Sequence, residues 1–138
     1  MYATVEELVA DPGIDAVSIC SPNSTHAPYS IMALEAGKHV LCEKPMALEL
    51  ADTRRMMEAA EKAGKILMIG HNQRLLPTHR KARELLQSGM IGNILSVQSN
   101  FRHRGPEYWS VNRSNSTWFF DKDKPQIGEL GDQGEHKL

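Results

Sequence analysis

Residues 33–45 read Ala33-Leu-Glu-Ala-Gly-Lys-His-Val-Leu-Cys-Glu-Lys-Pro45, a helix end that runs straight into a strand. A helical pattern carrying Ile31, Leu34 and Ala36 runs into Gly37, a residue suited to closing a helix in the left-handed conformation. Two residues on, His39-Val-Leu-Cys42 is apolar but too short for a helix, and it reads as a buried strand. The same unit recurs on either side. Toward the N-terminus, Thr4–Ala10 has helical spacing (Val5, Leu8, Val9) and stops at Asp11-Pro12-Gly13. The run Ala16–Cys20, bounded by Pro22-Asn23, is then a strand, and helical pattern resumes at Pro28. Toward the C-terminus, a helix from about Leu50 to Ala63 ends at Gly64 and precedes a third strand, Ile66–Ile69. Apolar strands separated by helices predict βαβ crossovers, right-handed by the usual rule. The expected layer is a doubly wound parallel sheet with strands buried on both faces.

Beyond residue 70 the rhythm changes. Pro77 suits an early helical position, Ala82, Leu85 and Leu86 form a stripe, and Gly89 ends it. Ile94–Phe101 alternates loosely and predicts a half-buried strand. Residues 103–127 are polar and read as irregular, and Gly128–Leu138 reads as the start of a helix. The first helix has no strand before it and the last has no cap. The economical expectation is an internal piece of a larger two-domain protein, with residues 1–75 in one domain and 76–138 in the next.

Composition narrows the function. The 138 residues carry 16 basic and 17 acidic side chains for a net charge of −1, with 41% hydrophobic and 24% charged residues. That is an ordinary soluble composition without the basic cluster a nucleic-acid partner would require. Apolar runs of four or five residues are far below the ~20 that span a bilayer. The opening Met1-Tyr-Ala-Thr-Val-Glu-Glu lacks the basic and apolar regions of a signal peptide, so the expected location is cytoplasmic. Cys20 and Cys42 sit in apolar runs and read as buried free thiols in a reducing compartment.

In an open parallel sheet, ligands bind beyond the carboxyl ends of the strands. Polar residues follow each strand here: Ser21-Pro22-Asn23-Ser24-Thr25-His26, Glu43-Lys44-Pro45, and Gly70-His71-Asn72-Gln73-Arg74. Loops are often polar, so the joint pattern carries more than any one of them. Lys44 is the most pointed residue, since Pro45 holds it extended at the rim of a low-dielectric crevice where a lysine can hold or move a proton. The bland alternative is one more solvated surface lysine.

Three blocks together resemble the Gfo/Idh/MocA family of glucose–fructose oxidoreductase and inositol dehydrogenase relatives. They are Ala16–His26, Ala33–Pro45 and Gly64-Lys-Ile-Leu-Met-Ile-Gly-His-Asn-Gln-Arg74, in that order, and the likeness extends over essentially the whole chain. The resemblance implies an α/β fold: part of a Rossmann-type parallel βαβ domain lacking its first βαβ unit, then the start of an α+β substrate domain. It implies NAD or NADP as cofactor, a sugar or polyol as substrate, and a homo-oligomeric full-length protein that binds neither nucleic acid nor membrane. It maps the catalytic positions onto Lys44 and onto Asp132 and His136 of an Asp-x-x-x-His motif. Ser21, Pro22, Asn23, His26, Glu43, Lys44, Pro45, Asn72 and Arg74 become cofactor-side positions. It also implies a cis Lys44–Pro45 bond, and a single cleft shared by Lys44 and His136.

The chemistry of that assignment is coherent. Oxidising an alcohol needs a hydride acceptor, a base for the hydroxyl proton and a charge beside the developing alkoxide. Residues 132 and 136 share one face of a helix, where a carboxylate orients an imidazole. The pair could instead form half a metal site, but no second pair stands at ligand spacing and no metal is expected. His39 and His79 read as packed or surface residues. The sequons at Asn23, Asn112 and Asn115 read as chance.

Two features depart from the family pattern. No Gly-x-Gly-x-x-Gly spacing occurs in the 138 residues, and no residue selecting NAD or NADP is evident, so these residues alone should hold the cofactor poorly. Glu129, Gln133 and Glu135 also stand where small or apolar residues are usual. The reading is therefore a nicotinamide-dependent dehydrogenase acting on a sugar or polyol hydroxyl. Its alternative is a non-catalytic remnant or nucleotide-sensing interaction protein of the same ancestry.

Overall fold

The computed structural model describes residues 1–100, 102, 104–109, 117–121 and 134. Helix α1 spans Val5–Ala10 and starts from a reciprocal cap. Thr4 Oγ1 accepts from the Glu7 N–H at 3.2 Å while the Glu7 carboxylate accepts from the Ala3 N–H at 2.9 Å. Strand β1 (Ala16–Ile19) leads through a 3-10 turn at Asn23–Thr25 into α2 (His26–Glu35). Strand β2 is His39–Cys42, α3 is Leu50–Ala63 and β3 is Leu67–Ile69. The three strands are parallel in the order β1-β2-β3, with Ile19 opposite Cys42 and Cys42 opposite Ile69. This is the Rossmann-like layer that the strand spacing predicts.

Both crossover helices end by the same device. At α2, Gly37 (φ 77°) lets its N–H reach Leu34 O and lets the Lys38 N–H reach Ala33 O. At α3, Gly64 (φ 62°) sends its N–H to Glu61 O and the Lys65 N–H to Ala60 O. Only glycine adopts this left-handed conformation without a Cβ penalty, and each stop feeds the next strand within a few residues. Helix α2 begins at His26, two residues before Pro28. Proline is tolerated there because the first-turn N–H groups have no intrahelical acceptor to lose.

The core lies where α2 and α3 meet the sheet. Leu34, Cys42 and Met56 are fully buried, joined by Val9, Ile19, Ala27, Ala33, Val40 and Ala59. Burial on both sheet faces, as expected from the apolar strands, is not what the structure shows. Val17, Ile19, Val40 and Cys42 turn inward, whereas Ser18, Leu41 and Met68 lie on the exposed face. The strands alternate because α2 and α3 pack against one face, while the side chains on the other stay exposed. The same parity corrects the reading of Cys20. It is exposed, one residue past β1 on the exposed side, and only Cys42 is buried.

After β3, a 3-10 turn at Asn72–Leu75 leads into α4 (Pro77–Gln87), with Pro77 in its first turn as anticipated. The strand expected at 94–101 is absent from its described residues, 94–100. Alternation alone does not make a strand. Without a hydrogen-bonded neighbour, Leu95 and Val97 stay 94% and 82% exposed. The irregular segment expected at 103–127 contains two short helical turns, α5 (Pro106–Trp109) and a 3-10 turn at Trp118–Phe120. Proline suits the first position of α5, and the Tyr108 N–H closes onto Gly105 O at 3.0 Å. The predicted terminal helix over 128–138 lies outside the described residues, 134 excepted. No described helix is long and apolar enough to cross a membrane.

Candidate active site at the carboxyl edge of the sheet

Parallel strands of similar length end together, so the residues that follow them are delivered to one edge. The backbone then fastens the loops to one another. The Glu43 N–H extends the ladder to Ile19 O at 2.9 Å, and the Gly70 N–H reaches Cys42 O at 2.8 Å. Past Gly70 the chain turns at once, with the Asn72 N–H on Gly70 O at 2.8 Å. The three polar segments singled out in the sequence are thus neighbours in space.

The turn after β1 is held from within. Thr25 Oγ1 donates to Pro22 O at 2.7 Å and is paired with Ser21 Oγ. Asn23 is buried at 4% exposure. His26 is buried at 1% exposure, with Nδ1 2.7 Å from Pro45 O and Nε2 2.9 Å from Ser21 O. Both ring nitrogens are spent on the protein's own backbone. This one side chain joins the turn after β1 to the loop after β2.

Lys44 stands two residues past the end of β2, half-buried, between the partly buried Glu43 and the buried Pro45. The Lys44–Pro45 peptide is cis, as the resemblance implied. Glu43 lies across the gap to β3, where its carboxylate crowds Gly70. A Cβ on residue 70 would meet Glu43 Oε2 at 3.1 Å. Gly70 opens the third of the polar segments, and a glycine directly after a strand is a signal of close approach.

Asn72 and Arg74 sit on the 3-10 turn beyond β3, and both are exposed. Asp132 and His136 lie outside the described residues, and with them the expectation that His136 and Lys44 share a cleft. Among the described residues no group of three or more His, Cys, Asp or Glu side chains could hold a metal. His39 and His79 are structural. His39 Nδ1 accepts from the Ile66 N–H at 3.0 Å, and His79 Nδ1 lies 2.6 Å from Gln73 O.

The two thiols differ sharply. Burial, with smaller contributions from neighbouring charge, pushes the Cys42 thiol up to about 11. Cys20 is exposed, with Sγ 3.5 Å from Ser18 Oγ. The nucleophile is the thiolate, and a thiol titrating well above the ordinary ~8.5 offers roughly a hundredfold less of it at neutral pH, before burial is counted. A maleimide should therefore consume one thiol equivalent of the native chain promptly and the second only in denaturant. Prompt loss of both would contradict the burial of Cys42.

Comparisons with known proteins agree with this architecture. Residues 1–71 match the Gfo/Idh/MocA family model described as "Oxidoreductase family, NAD-binding Rossmann fold", and residues 79–138 match the Gfo/Idh/MocA C-terminal domain. The chain is 44% identical over 100 residues to myo-inositol 2-dehydrogenase of Thermotoga maritima, covering 71% of this chain and 30% of that one. It is 43% identical over 95 residues to 1,5-anhydro-D-fructose reductase of Ensifer adhaerens, covering 69% and 28% respectively. A crystal structure of a probable dehydrogenase from Thermotoga maritima superimposes with TM-score 0.62 at 44% identity, over 66% of this chain and 28% of that one. The matched region thus spans less than a third of the length of these relatives.

Proposed function

The chain belongs to the Gfo/Idh/MocA oxidoreductase family, and on that premise we propose that it supplies the nicotinamide-side half of a sugar or polyol dehydrogenase site. The observation that carries the proposal is the joining of three post-strand loops at one sheet edge, with Lys44 on the middle one. The donors and acceptors there suit the ribose and carboxamide end of NAD or NADP: Ser21, Glu43, Lys44, Asn72 and Arg74, backed by Pro22, Asn23 and Pro45. The 138 residues hold no Gly-x-Gly-x-x-Gly turn, so a seat for the pyrophosphate is not among them. When bound, the nicotinamide accepts the hydride that leaves the substrate carbon.

The chain's own residues handle the proton and the charge. As the hydride departs, the alcohol oxygen gains negative character. The Lys44 ammonium, set at the rim of the crevice, stabilises it electrostatically. Asp132 and His136 take the hydroxyl proton in this reading, the carboxylate orienting the imidazole that acts as base. The reduced nicotinamide and a carbonyl compound are the balanced products. The substrate class follows the relatives, myo-inositol 2-dehydrogenase and 1,5-anhydro-D-fructose reductase among them. A homo-oligomer is part of the same proposal.

The test is a spectrophotometric one on the complete gene product. It is incubated with NAD+ or NADP+ and a panel of cyclitols, aldoses and anhydro-sugars, and formation of reduced nicotinamide is followed. Turnover of at least one substrate is expected. No turnover with any of them, together with no cofactor binding, would overturn the proposal.

A further inference from the structure

Ile19, Cys42 and Ile69 stand opposite one another in the sheet, so one step further along the strands sets Cys20, Glu43 and Gly70 side by side in a row. The ladder bonds from the Glu43 N–H to Ile19 O and from the Gly70 N–H to Cys42 O hold that row in register. Alternation turns it toward the face opposite the buried Cys42. Cys20 fills one flank of Glu43 with a side chain, and Gly70 leaves the other bare. The Glu43 carboxylate lies on the bare flank. A Cβ on residue 70 would meet Oε2 at 3.1 Å and Cδ and Oε1 at 3.2 Å each, so the group rests face-on over the glycine.

Backbone conformation does not ask for glycine at this position. Gly37, Gly64, Gly89 and Gly92 have positive φ, and Gly70 does not. Nor is residue 70 free to back away, because its N–H is bound to Cys42 O and its carbonyl accepts from the Asn72 N–H, both at 2.8 Å. Glu43 is held at its own N–H, and its carbonyl accepts from Cys42 Sγ at 3.3 Å. Only the Glu43 side chain can yield. Among the described residues its carboxylate has no hydrogen-bond or ion partner, which leaves both oxygens open to accept.

From this geometry we propose that Gly70 is a positioning residue of the site: its missing side chain seats the Glu43 carboxylate across the ends of β2 and β3, where the two oxygens accept from hydroxyl donors of the bound nicotinamide nucleotide. The use of that carboxylate rests on the oxidoreductase reading above, whereas the seat rests on the contact alone. Gly70 touches no ligand and acts through Glu43. A methyl group at residue 70 moves the carboxylate by a few tenths of an ångström. Charge-assisted hydrogen bonds are short and directional, so a shift of that size weakens them without abolishing binding.

The test is a double-mutant cycle on the complete gene product, read in two ways. The first readout is the Kd for NADH and NADPH by nicotinamide fluorescence. For the cofactor that binds, Glu43→Ala should raise Kd about tenfold or more, the usual cost of a hydrogen bond to a charged group, and Gly70→Ala about threefold to tenfold. The double variant should bind no more weakly than Glu43→Ala alone, because the methyl group then has nothing to displace. An unchanged Kd for Gly70→Ala, or losses that simply add, overturns the positioning role. The second readout is the urea midpoint without cofactor. Alanine for glycine at a permitted φ should raise it by about 0.2–0.5 M in the Glu43→Ala background and not in the parent, where the carboxylate is in the way. Equal shifts in the two backgrounds overturn the seat itself. Binding of neither cofactor sinks the dehydrogenase reading and the positioning role together, and the urea cycle still decides whether Gly70 seats the carboxylate.

Discussion

Lys44→Ala is expected to abolish most turnover while leaving the fold intact. Removing a group that stabilises a developing alkoxide or transfers its proton costs about 10²- to 10⁴-fold in kcat. The loss should fall on kcat and kcat/KM alike, because the interaction strengthens as charge builds on the substrate oxygen. Stability should hardly move. Lys44 is half-buried, outside the apolar core, and its neighbour Pro45 keeps its carbonyl tie to His26 whatever side chain precedes it. Lys44→Arg is the informative companion. It keeps the charge but replaces a compact ammonium with a planar fork, so activity should stay well below the parent level. Steady-state kinetics on the complete gene product, with urea denaturation alongside, decide the matter. A fall of less than about tenfold for Lys44→Ala would remove Lys44 from the chemistry.

What the sequence made legible follows from local rules. The strands were readable because Ala16–Ile19, His39–Cys42 and Leu67–Ile69 are short apolar runs, and the helix ends because Gly37 and Gly64 stand where a left-handed residue is needed. The loops after the strands were readable as a group because a parallel sheet delivers them to one edge. The errors arose where a property depends on what lies opposite. Cys20 looks buried from its neighbours, yet strand parity puts it on the exposed side. Residues 94–100 alternate like a strand but have no partner to pair with among the described residues. The tie from His26 to Pro45 spans nineteen positions and ends on a backbone carbonyl, so no side-chain pattern announces it. The role of Gly70 likewise depends on Glu43 arriving from another strand.

Met56→Ala and Met57→Ala should differ in stability by about 2–4 kcal/mol, although they make the same chemical change one residue apart on α3. Met56 is 0% exposed and lies in the core between the helices and the sheet, whereas Met57 is 60% exposed. Helix propensity changes equally in both and cancels, which leaves burial as the cause. Truncating Met56 removes transfer free energy and opens a cavity that close-packed neighbours fill only in part. Met57 loses contacts that water already shares. Against a total stability of about 5–15 kcal/mol for an ordinary domain, the Met56 loss is large. Urea denaturation should place the Met56→Ala midpoint about 1 M or more below that of Met57→Ala, at similar m-values. Coincident midpoints would mean that α3 does not pack as described. The pair also bears on the site, because α3 links the Lys44–Pro45 loop to β3 and so to Gly70. Activity of Met56→Ala should therefore decline with temperature in step with its folded fraction and match the parent when fully folded. Lys44→Ala should be inactive at every temperature at which it is folded.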